Sequence, residues 1–152
     1  MLPLEKEQRD RLIAVARSYV GTPFHDHGEV KGAGVDCATF LKCAAIEAGV
    51  VEPFKLDHYS PQFFLHQKEE RYIGWVTKFA REITQAEVQP GDIVLYKVGL
   101  CFAHGAMIVN PGWPHIIHAH FAARCVREDL DGNRPRLGTR VLDMKFFSLW
   151  RE

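Results

Sequence analysis

The order of the residue patterns along the chain is the feature that most constrains its fold. Residues 5–20 carry apolar side chains at helical spacing, and a stretch rich in Ala, Leu and Phe predicts a second helix from about Cys37 to Ala48. Patterns in the second half predict strands at Ile93 to Val98, His104 to Asn110 and His115 to Phe121. Helices followed by antiparallel strands indicate an α+β fold.

The remainder of the chain has weaker patterns. Tyr72 and Val76 belong to a helically spaced apolar set that predicts a helix around Glu70 to Glu82. The segment Asn110 to Pro114 contains two prolines and a glycine, which predicts a hairpin loop between the two histidine-bearing strands. Val141 to Trp150 is expected to add a last strand or a packed tail.

Composition excludes several classes of function. A length of 152 residues is typical of one domain, which we assign to residues 1–152. Nineteen Lys and Arg balance 19 Asp and Glu, so no basic stripe indicates nucleic acid or a membrane surface as a partner. The sequence contains no run of about 18 apolar residues, so it predicts no membrane-spanning helix. The charged segment Met1 to Asp10 lacks the apolar core of a Sec signal peptide, so we expect synthesis in the cytoplasm with free thiols.

Cys37 is the sharpest single feature of the sequence. It follows a glycine-rich loop and opens the second predicted helix, with Asp36 as the expected N-cap. The partial positive charge and unpaired N–H groups of a helix start favour a thiolate, which is the nucleophilic form, and can hold an oxyanion. A free cysteine is equally often a small buried apolar residue, and local physics leaves both interpretations open.

A cysteine nucleophile needs a base, and the base needs an orienting partner. Strand alternation places His104 on one face of its strand, and it places both His118 and His120 on one face of the next. Periodicity therefore leaves His118 and His120 as competing candidates for the orienting role.

A metal site is the alternative for the same side chains. The pairs His25-x-His27 and His118-x-His120 could supply imidazole ligands, with Cys37 as a further ligand. None of the four cysteines lies in a C-x-x-C pair, which argues against a closed thiolate zinc site.

Several stretches, in order, resemble the NlpC/P60 family of papain-like cysteine peptidases. The residues that carry the resemblance are Tyr19-Val20-Gly21-Thr22-Pro23-Phe24, Gly34-Val35-Asp36-Cys37-Ala38-Thr39-Phe40, Pro90-Gly91-Asp92-Ile93-Val94, His104-Gly105-Ala106-Met107-Ile108-Val109 and Ile117-His118-Ala119. Within the family, the chain is most similar to short phage-type cell-wall peptidases.

The resemblance implies a function and a fold. Cys37 would be the nucleophile, His104 the base and His118 the orienting residue, so the resemblance favours His118 over His120. The helix that carries the cysteine would pack on an antiparallel sheet that carries the histidines. The implied substrate is an amide of the peptidoglycan stem peptide, cleaved at the cell wall without a metal or other cofactor. Phage-tail or secretion-system proteins are the implied partners.

Departures from the family pattern leave alternatives open. Phe24 occupies the position of a loop tyrosine whose hydroxyl assists the oxyanion hole, so His25 or backbone N–H groups would replace it. Ala38-Thr39 replaces the usual Ser-Gly pair. Phe24, His25, Asp36 and His120 are our candidates for substrate binding or oxyanion stabilisation. The alternatives to a hydrolase are an inactive papain-like module within a phage tail or secretion machine, and a thiol acyltransferase.

Overall fold

Helices fill the first half of the chain, and an antiparallel sheet fills the second. The computed structural model describes residues 3–57, 59–60, 70–110, 112, 115–130, 136–137 and 140–150. The helices are α1 (Pro3–Ser18), α2 (Cys37–Glu47) and α3 (Arg71–Val76), with a 3₁₀ turn at Gln85–Glu87. The strands are β1 (Glu29–Val30), β2 (Gly34–Val35), β3 (Arg81–Ile83), β4 (Ile93–Val98), β5 (Cys101–Ile108), β6 (Ile116–His120), β7 (Cys125–Asp129), β8 (Arg136–Leu137), β9 (Arg140–Val141) and β10 (Met144–Ser148).

Six strands form the main sheet in the order β3-β10-β4-β5-β6-β7, with antiparallel pairing throughout. One face carries the larger core with α1 and α2, and α2 packs mainly against β5 and β6. The other face carries a smaller apolar cluster that includes Val94, Ala106 and Ile116. The α+β prediction, with the cysteine-bearing helix on an antiparallel sheet, is confirmed.

The first two helices lie close to where the sequence predicts them. In α1 the helically spaced residues Leu12, Ile13 and Ala16 are buried in the main core. Helix α2 begins at Cys37 and ends before Gly49, whose φ of +76° suits the left-handed conformation that glycine adopts freely. Among the described helices, none combines the length and the apolar character needed to cross a bilayer.

The predicted helix over Glu70 to Glu82 is only partly correct. Helix α3 covers Arg71–Val76, where Tyr72 and Trp75 are buried, and a turn then leads into β3. Ile83 pairs with Phe146 of β10 and lies in the smaller cluster, not on a helix face. The backbone pairing with β10 therefore overrides the helical spacing of these residues. The local sequence does not reveal this pairing.

The second half of the chain has more strands than predicted. Strands β4, β5 and β6 lie within about three residues of the predicted ones, and the tail forms β10. Strands β3 and β7 were not predicted. The antiparallel neighbours β5 and β6 confirm a hairpin connection, although Pro111, Trp113 and Pro114 of the predicted loop lie outside the described residues.

Candidate active site

The thiol of Cys37 lies at the start of α2, where the helix meets β5. It is partly buried, and its Sγ donates a hydrogen bond of 3.4 Å to the carbonyl oxygen of Ala103. The backbone N–H of Gly105 lies close enough to the sulfur to act on the pKa of the thiol, which it lowers. The sulfur therefore lies against the backbone on both sides of His104.

The opening between β5 and β6 gives the sulfur this position. The ladder between the two strands pairs Met107 with Ile117 and Ile108 with Ile116, and it does not extend to His104. Alternate residues of an antiparallel strand direct their backbone groups to opposite neighbours. The backbone N–H of Ile108 donates to Asp92 O on the β4 side. The backbone groups of the odd-numbered residues Ala103 and Gly105 therefore point toward β6.

The pKa of Cys37 is raised to about 12. Burial is the largest cause, followed by the negative charge of Asp36, while the N–H groups of Gly105, Cys37 and Ala38 act in the opposite direction. The helix start therefore does not produce a resting thiolate by itself, which differs from the expectation from local sequence. Cys37 is a neutral thiol at neutral pH and needs a base to become the nucleophile.

His104 and His118 form the centre of the site. The Nε2 of His104 lies 2.7 Å from the Nδ1 of His118, and their ring planes are inclined by 69°. His104 also stacks on Tyr96, with 5.8 Å between ring centroids. Burial, and then the neighbouring His118 and His120, lower the pKa of His104 well below 6.5, so the ring is neutral at neutral pH. Of the two histidines that periodicity left as candidates, His118 is the one that hydrogen-bonds His104.

Asp129 extends this row of side chains. The Nε2 of His118 lies 2.6 Å from Oδ2 of Asp129, and Nη2 of Arg127 forms an ion pair with Oδ1 of the same carboxylate at 3.0 Å. Burial lowers the pKa of His118 although the hydrogen bond to Asp129 opposes this. For Asp129, burial would raise the pKa, but the hydrogen bond with His118 and the positive charge of Arg127 act in the opposite direction, and the pKa is lowered. Asp129 is therefore ionised and His118 neutral at neutral pH.

The hydrogen bonds assign the tautomers of both histidines. An ionised carboxylate only accepts, so His118 carries its proton on Nε2 and donates to Asp129. The Nδ1 of His118 then accepts from the Nε2–H of His104. The lone pair of His104 is consequently on Nδ1, the nitrogen that does not face His118. Among the described residues, Sγ of Cys37 bonds to Ala103 O and not to this nitrogen.

Asp36 caps the nucleophile helix. Its Oδ1 accepts from the N–H groups of Ala38 and Thr39, and the Asp36 N–H donates to Oγ1 of Thr39 in return. Its Oδ2 accepts from the N–H of His27 and from the hydroxyl of Tyr59. The predicted N-cap is confirmed. Both carboxylate oxygens are occupied by the chain itself, which leaves the N–H of Cys37 as the helix-start donor that the cap does not take.

Of the remaining candidates, all of which the structure describes, only His120 contacts the histidine pair. Phe24 packs edge-on against Phe121, with 5.4 Å between ring centroids, and Phe121 is 73% exposed. The imidazole Nδ1 of exposed His25 lies 3.0 Å from its neighbour Asp26 O. His120 stacks near His118, and its Nδ1 accepts from Ala123 N. His104 and His118 are thus hydrogen-bonded to each other, and Cys37 lies against the backbone next to His104, with its sulfur bonded to Ala103 O.

Sequence reasoning missed Tyr72, Gly105 and Asp129. The buried hydroxyl of Tyr72 donates to Cys37 O at 2.7 Å, and a Cβ on Gly105 would lie 2.3 Å from that hydroxyl. Gly105 therefore leaves room for a side chain that braces the helix carrying Cys37. The sequence pattern indicates Tyr72 only as an apolar helix position. The one sequence signal for Asp129 is that acidic residues follow the strand that carries His118. The sequence does not predict β7, so it does not place this carboxylate beside the histidine.

No group of three or more His, Cys, Asp or Glu side chains within the described residues is arranged to hold a metal ion. The members of the alternative metal set have other contacts. His27 contacts Tyr59 O through Nε2, and His118 bonds to His104 and Asp129.

Comparison with known proteins finds similarity in structure. No protein-family model and no curated protein sequence matches the chain. The NlpC/p60 domain of the peptidoglycan hydrolase SagA matches 90% of this chain and 96% of its own, with a TM-score of 0.58 and 18% identity. The peptidoglycan hydrolase RipB from Mycobacterium tuberculosis matches 100% of this chain and 70% of its own, with a TM-score of 0.65 and 16% identity. NlpC2 from Trichomonas vaginalis matches 92% of this chain and 45% of its own, with a TM-score of 0.63 and 14% identity.

Proposed function

We propose that this chain, which has the fold of NlpC/P60 domains, is a cysteine hydrolase that cleaves an amide bond in the stem peptides of peptidoglycan. The observation that carries the proposal is the row of side chains at the β5–β6 opening. The sulfur of Cys37 lies against the backbone on both sides of His104, and His104 bonds to His118 at 2.7 Å. The peptidoglycan hydrolases with the same fold support the substrate class.

The proposed first step is proton transfer from Cys37 to Nδ1 of His104 as the sulfur attacks the amide carbonyl. Rotation of the Cys37 side chain away from Ala103 O is required, and such contacts are often loose before substrate binds. The new C–S bond gives a tetrahedral oxyanion, which accepts from the N–H of Cys37. Phe24 offers no hydroxyl, so backbone donors replace that of the family's tyrosine.

The remaining steps release the two halves of the substrate. Imidazolium His104 returns its proton to the amide nitrogen as the C–N bond breaks, which leaves a thioester on Cys37 and a free amine. Water then attacks the thioester while His104 accepts a proton, and the carboxylic acid leaves as the thiol re-forms. His118 keeps the His104 ring in place through both steps.

Replacing the nucleophile tests the proposal. We expect Cys37→Ala to abolish the release of peptide fragments from purified peptidoglycan, measured by mass spectrometry, because no other group supplies the nucleophile. Cys43→Ala is the matched control, since Cys43 lies on the same helix and is also partly buried. It should keep wild-type turnover. Equal activity of Cys37→Ala and wild type would refute the assignment.

A structural module in a phage tail or secretion machine is the second candidate function. Two observations favour it: Phe24 lacks the loop hydroxyl, and the pKa of Cys37 is raised to about 12. Iodoacetamide labelling separates the candidates. An assisted thiol at Cys37 reacts near neutral pH much faster than Cys43, whereas a structural module labels both slowly and releases no fragments from peptidoglycan.

A further inference from the structure

The hydrogen-bonded row at the site does not end at the second histidine. His118 lies on β6 opposite Arg127 of β7, and Asp129 is the diagonal neighbour two residues further along. Diagonal neighbours on one sheet face are within reach of long side chains. His118 and Asp129 meet at 2.6 Å, and His118 is buried with 6% exposure.

We propose that Asp129 is a positioning residue that sets the direction of the hydrogen bonds from β7 to His104, and so decides which nitrogen of His104 is free to accept the thiol proton. This inference rests on the proposed function, because it gives a role to a fourth residue in the same reaction. Asp129 acts through the histidines and touches neither the sulfur nor the substrate.

The direction of the row follows from what each group can donate. Asp129 only accepts, so it keeps the His118 proton on Nε2, and His118 then accepts from His104. The carboxylate also places a negative charge behind the imidazolium that forms when His104 takes the proton. If the group at position 129 donated a hydrogen bond to His118, both hydrogen bonds of the row would change direction. His104 would then carry its hydrogen on Nδ1, the nitrogen that has to accept the thiol proton.

Arg127 makes this argument testable. Its guanidinium forms an ion pair with Oδ1 of Asp129, while His118 bonds to Oδ2. In Asp129→Asn, the arginine holds the amide oxygen and turns the NH₂ group toward His118. An NH₂ group donates, so His118 has to accept on Nε2 and donate from Nδ1 to His104. The neutral His104 then carries its hydrogen on Nδ1 and cannot take the thiol proton.

The other titratable or charged groups facing this row come from several elements. They are Tyr96 of β4, His120 of β6 and Arg127 of β7. None of them offers an ionised carboxylate to His118. The acceptor role within the described part of the site therefore belongs to Asp129.

The experiment measures the rate of Cys37 alkylation by iodoacetamide between pH 5 and 9, by mass spectrometry of the Cys37 peptide. Peptidoglycan cleavage is followed in parallel. We expect Asp129→Ala to lower both rates about 10- to 100-fold near pH 7, the usual effect of losing a carboxylate that orients a histidine. Asp129→Asn should lower them further. Arg127→Ala combined with Asp129→Asn should recover at least 10-fold over Asp129→Asn alone, because the amide is then free to turn its oxygen to His118.

The neighbouring Glu128 supplies the matched control. Its carboxylate also bonds to a histidine, His115, and its side chain is 27% exposed against 28% for Asp129. Glu128→Gln should leave both rates at the wild-type level. Wild-type rates in Asp129→Asn, or no recovery in the double variant, would overturn the proposal.

Nitrogen-15 NMR of the wild-type imidazoles provides a second measurement that needs no variant to fold. It should show the His118 proton on Nε2 and the His104 proton on Nε2. A His118 proton on Nδ1 would overturn the proposal. Dependence of alkylation on Asp129 without any cleavage of peptidoglycan would instead refute the proposed function and retain the positioning role.

Discussion

Burial keeps His104 in the form that the proposed chemistry needs. Its neighbours His118 and His120 act with burial to disfavour a positive charge, so the pKa of His104 lies well below 6.5. A neutral imidazole is the proton acceptor, whereas an imidazolium at rest would be unable to deprotonate Cys37. The same burial makes protonation of His104 unfavourable in the folded protein, so the free energy of unfolding depends on pH.

We predict that the free energy of unfolding falls as the pH falls from 8 to 5. An unfolded histidine takes up its proton near pH 6.5, but folded His104 stays neutral to lower pH. The unfolded chain therefore binds more protons below about pH 6.5 and is favoured there. The loss is on the order of 1–2 kcal/mol at pH 5. Asp129, whose pKa is lowered, adds a loss in the same direction at still lower pH.

Urea unfolding at pH 8 and pH 5 checks this prediction. His104→Gln should show a smaller difference between the two values, since glutamine does not titrate and still donates to His118. His25→Gln, which changes an exposed histidine of the loop, should retain the wild-type difference. An unchanged difference in His104→Gln would show that other groups carry the pH dependence.

At the scale of elements, several contacts hold Cys37 in one place at the start of α2. A capping box joins Asp36 and Thr39, and Tyr72 of α3 braces the carbonyl of Cys37. The family pattern has Ser-Gly where this chain has Ala38-Thr39. Here the threonine hydroxyl supplies half of the capping box, so the departure has a structural role at the helix start.

We predict that Thr39→Val lowers the free energy of unfolding by about 1–2 kcal/mol, because the buried N–H of Asp36 loses its acceptor. Valine keeps the shape of threonine, so packing changes little. Thr77→Val is the control, since the exposed hydroxyl of Thr77 bonds back to Ile73 O and Gly74 O of α3, at a helix end that solvent reaches. It should change stability by less than about 0.5 kcal/mol. Equal losses in urea unfolding would contradict a special role for the cap.

At the scale of the whole molecule, a buried charge cluster ties α1 to the sheet. Arg9 is 4% exposed and donates to Glu5 and to Asp92 at the start of β4, each at 2.9 Å. Its guanidinium also reaches Ser148 of β10 at 3.4 Å and lies 4.1 Å from the Trp150 ring. One side chain thus joins the first helix to two central strands that are far apart in sequence.

We predict that Arg9→Met lowers the free energy of unfolding by about 3–5 kcal/mol, because it leaves Glu5 and Asp92 buried without their cation. Lys6→Met on the same helix is the control. Lys6 pairs with Asp10 at the same spacing, but both side chains are more than half exposed, so the loss should be below about 0.5 kcal/mol. Urea unfolding of both variants measures the difference, and similar losses would refute the role of the cluster.

Local sequence determined the features that depend on short-range physics. Helical spacing located α1, the Asp36 cap and Gly49 delimited α2, and strand alternation placed His104 and His118 on the faces they occupy. The resemblance to NlpC/P60 domains is confirmed at the level of the fold. These predictions succeeded because caps, turns and periodicity act over a few residues.

Tertiary structure alone decided the features that depend on distant pairing. It turned the end of the predicted helix into β3, inserted β10 beside β4, and brought Asp129 behind His118. It also reversed the expected effect on Cys37, because burial and Asp36 raise the pKa of the thiol more than the helix start lowers it. Burial and strand pairing arise only when segments far apart in sequence meet, so no local pattern encodes them.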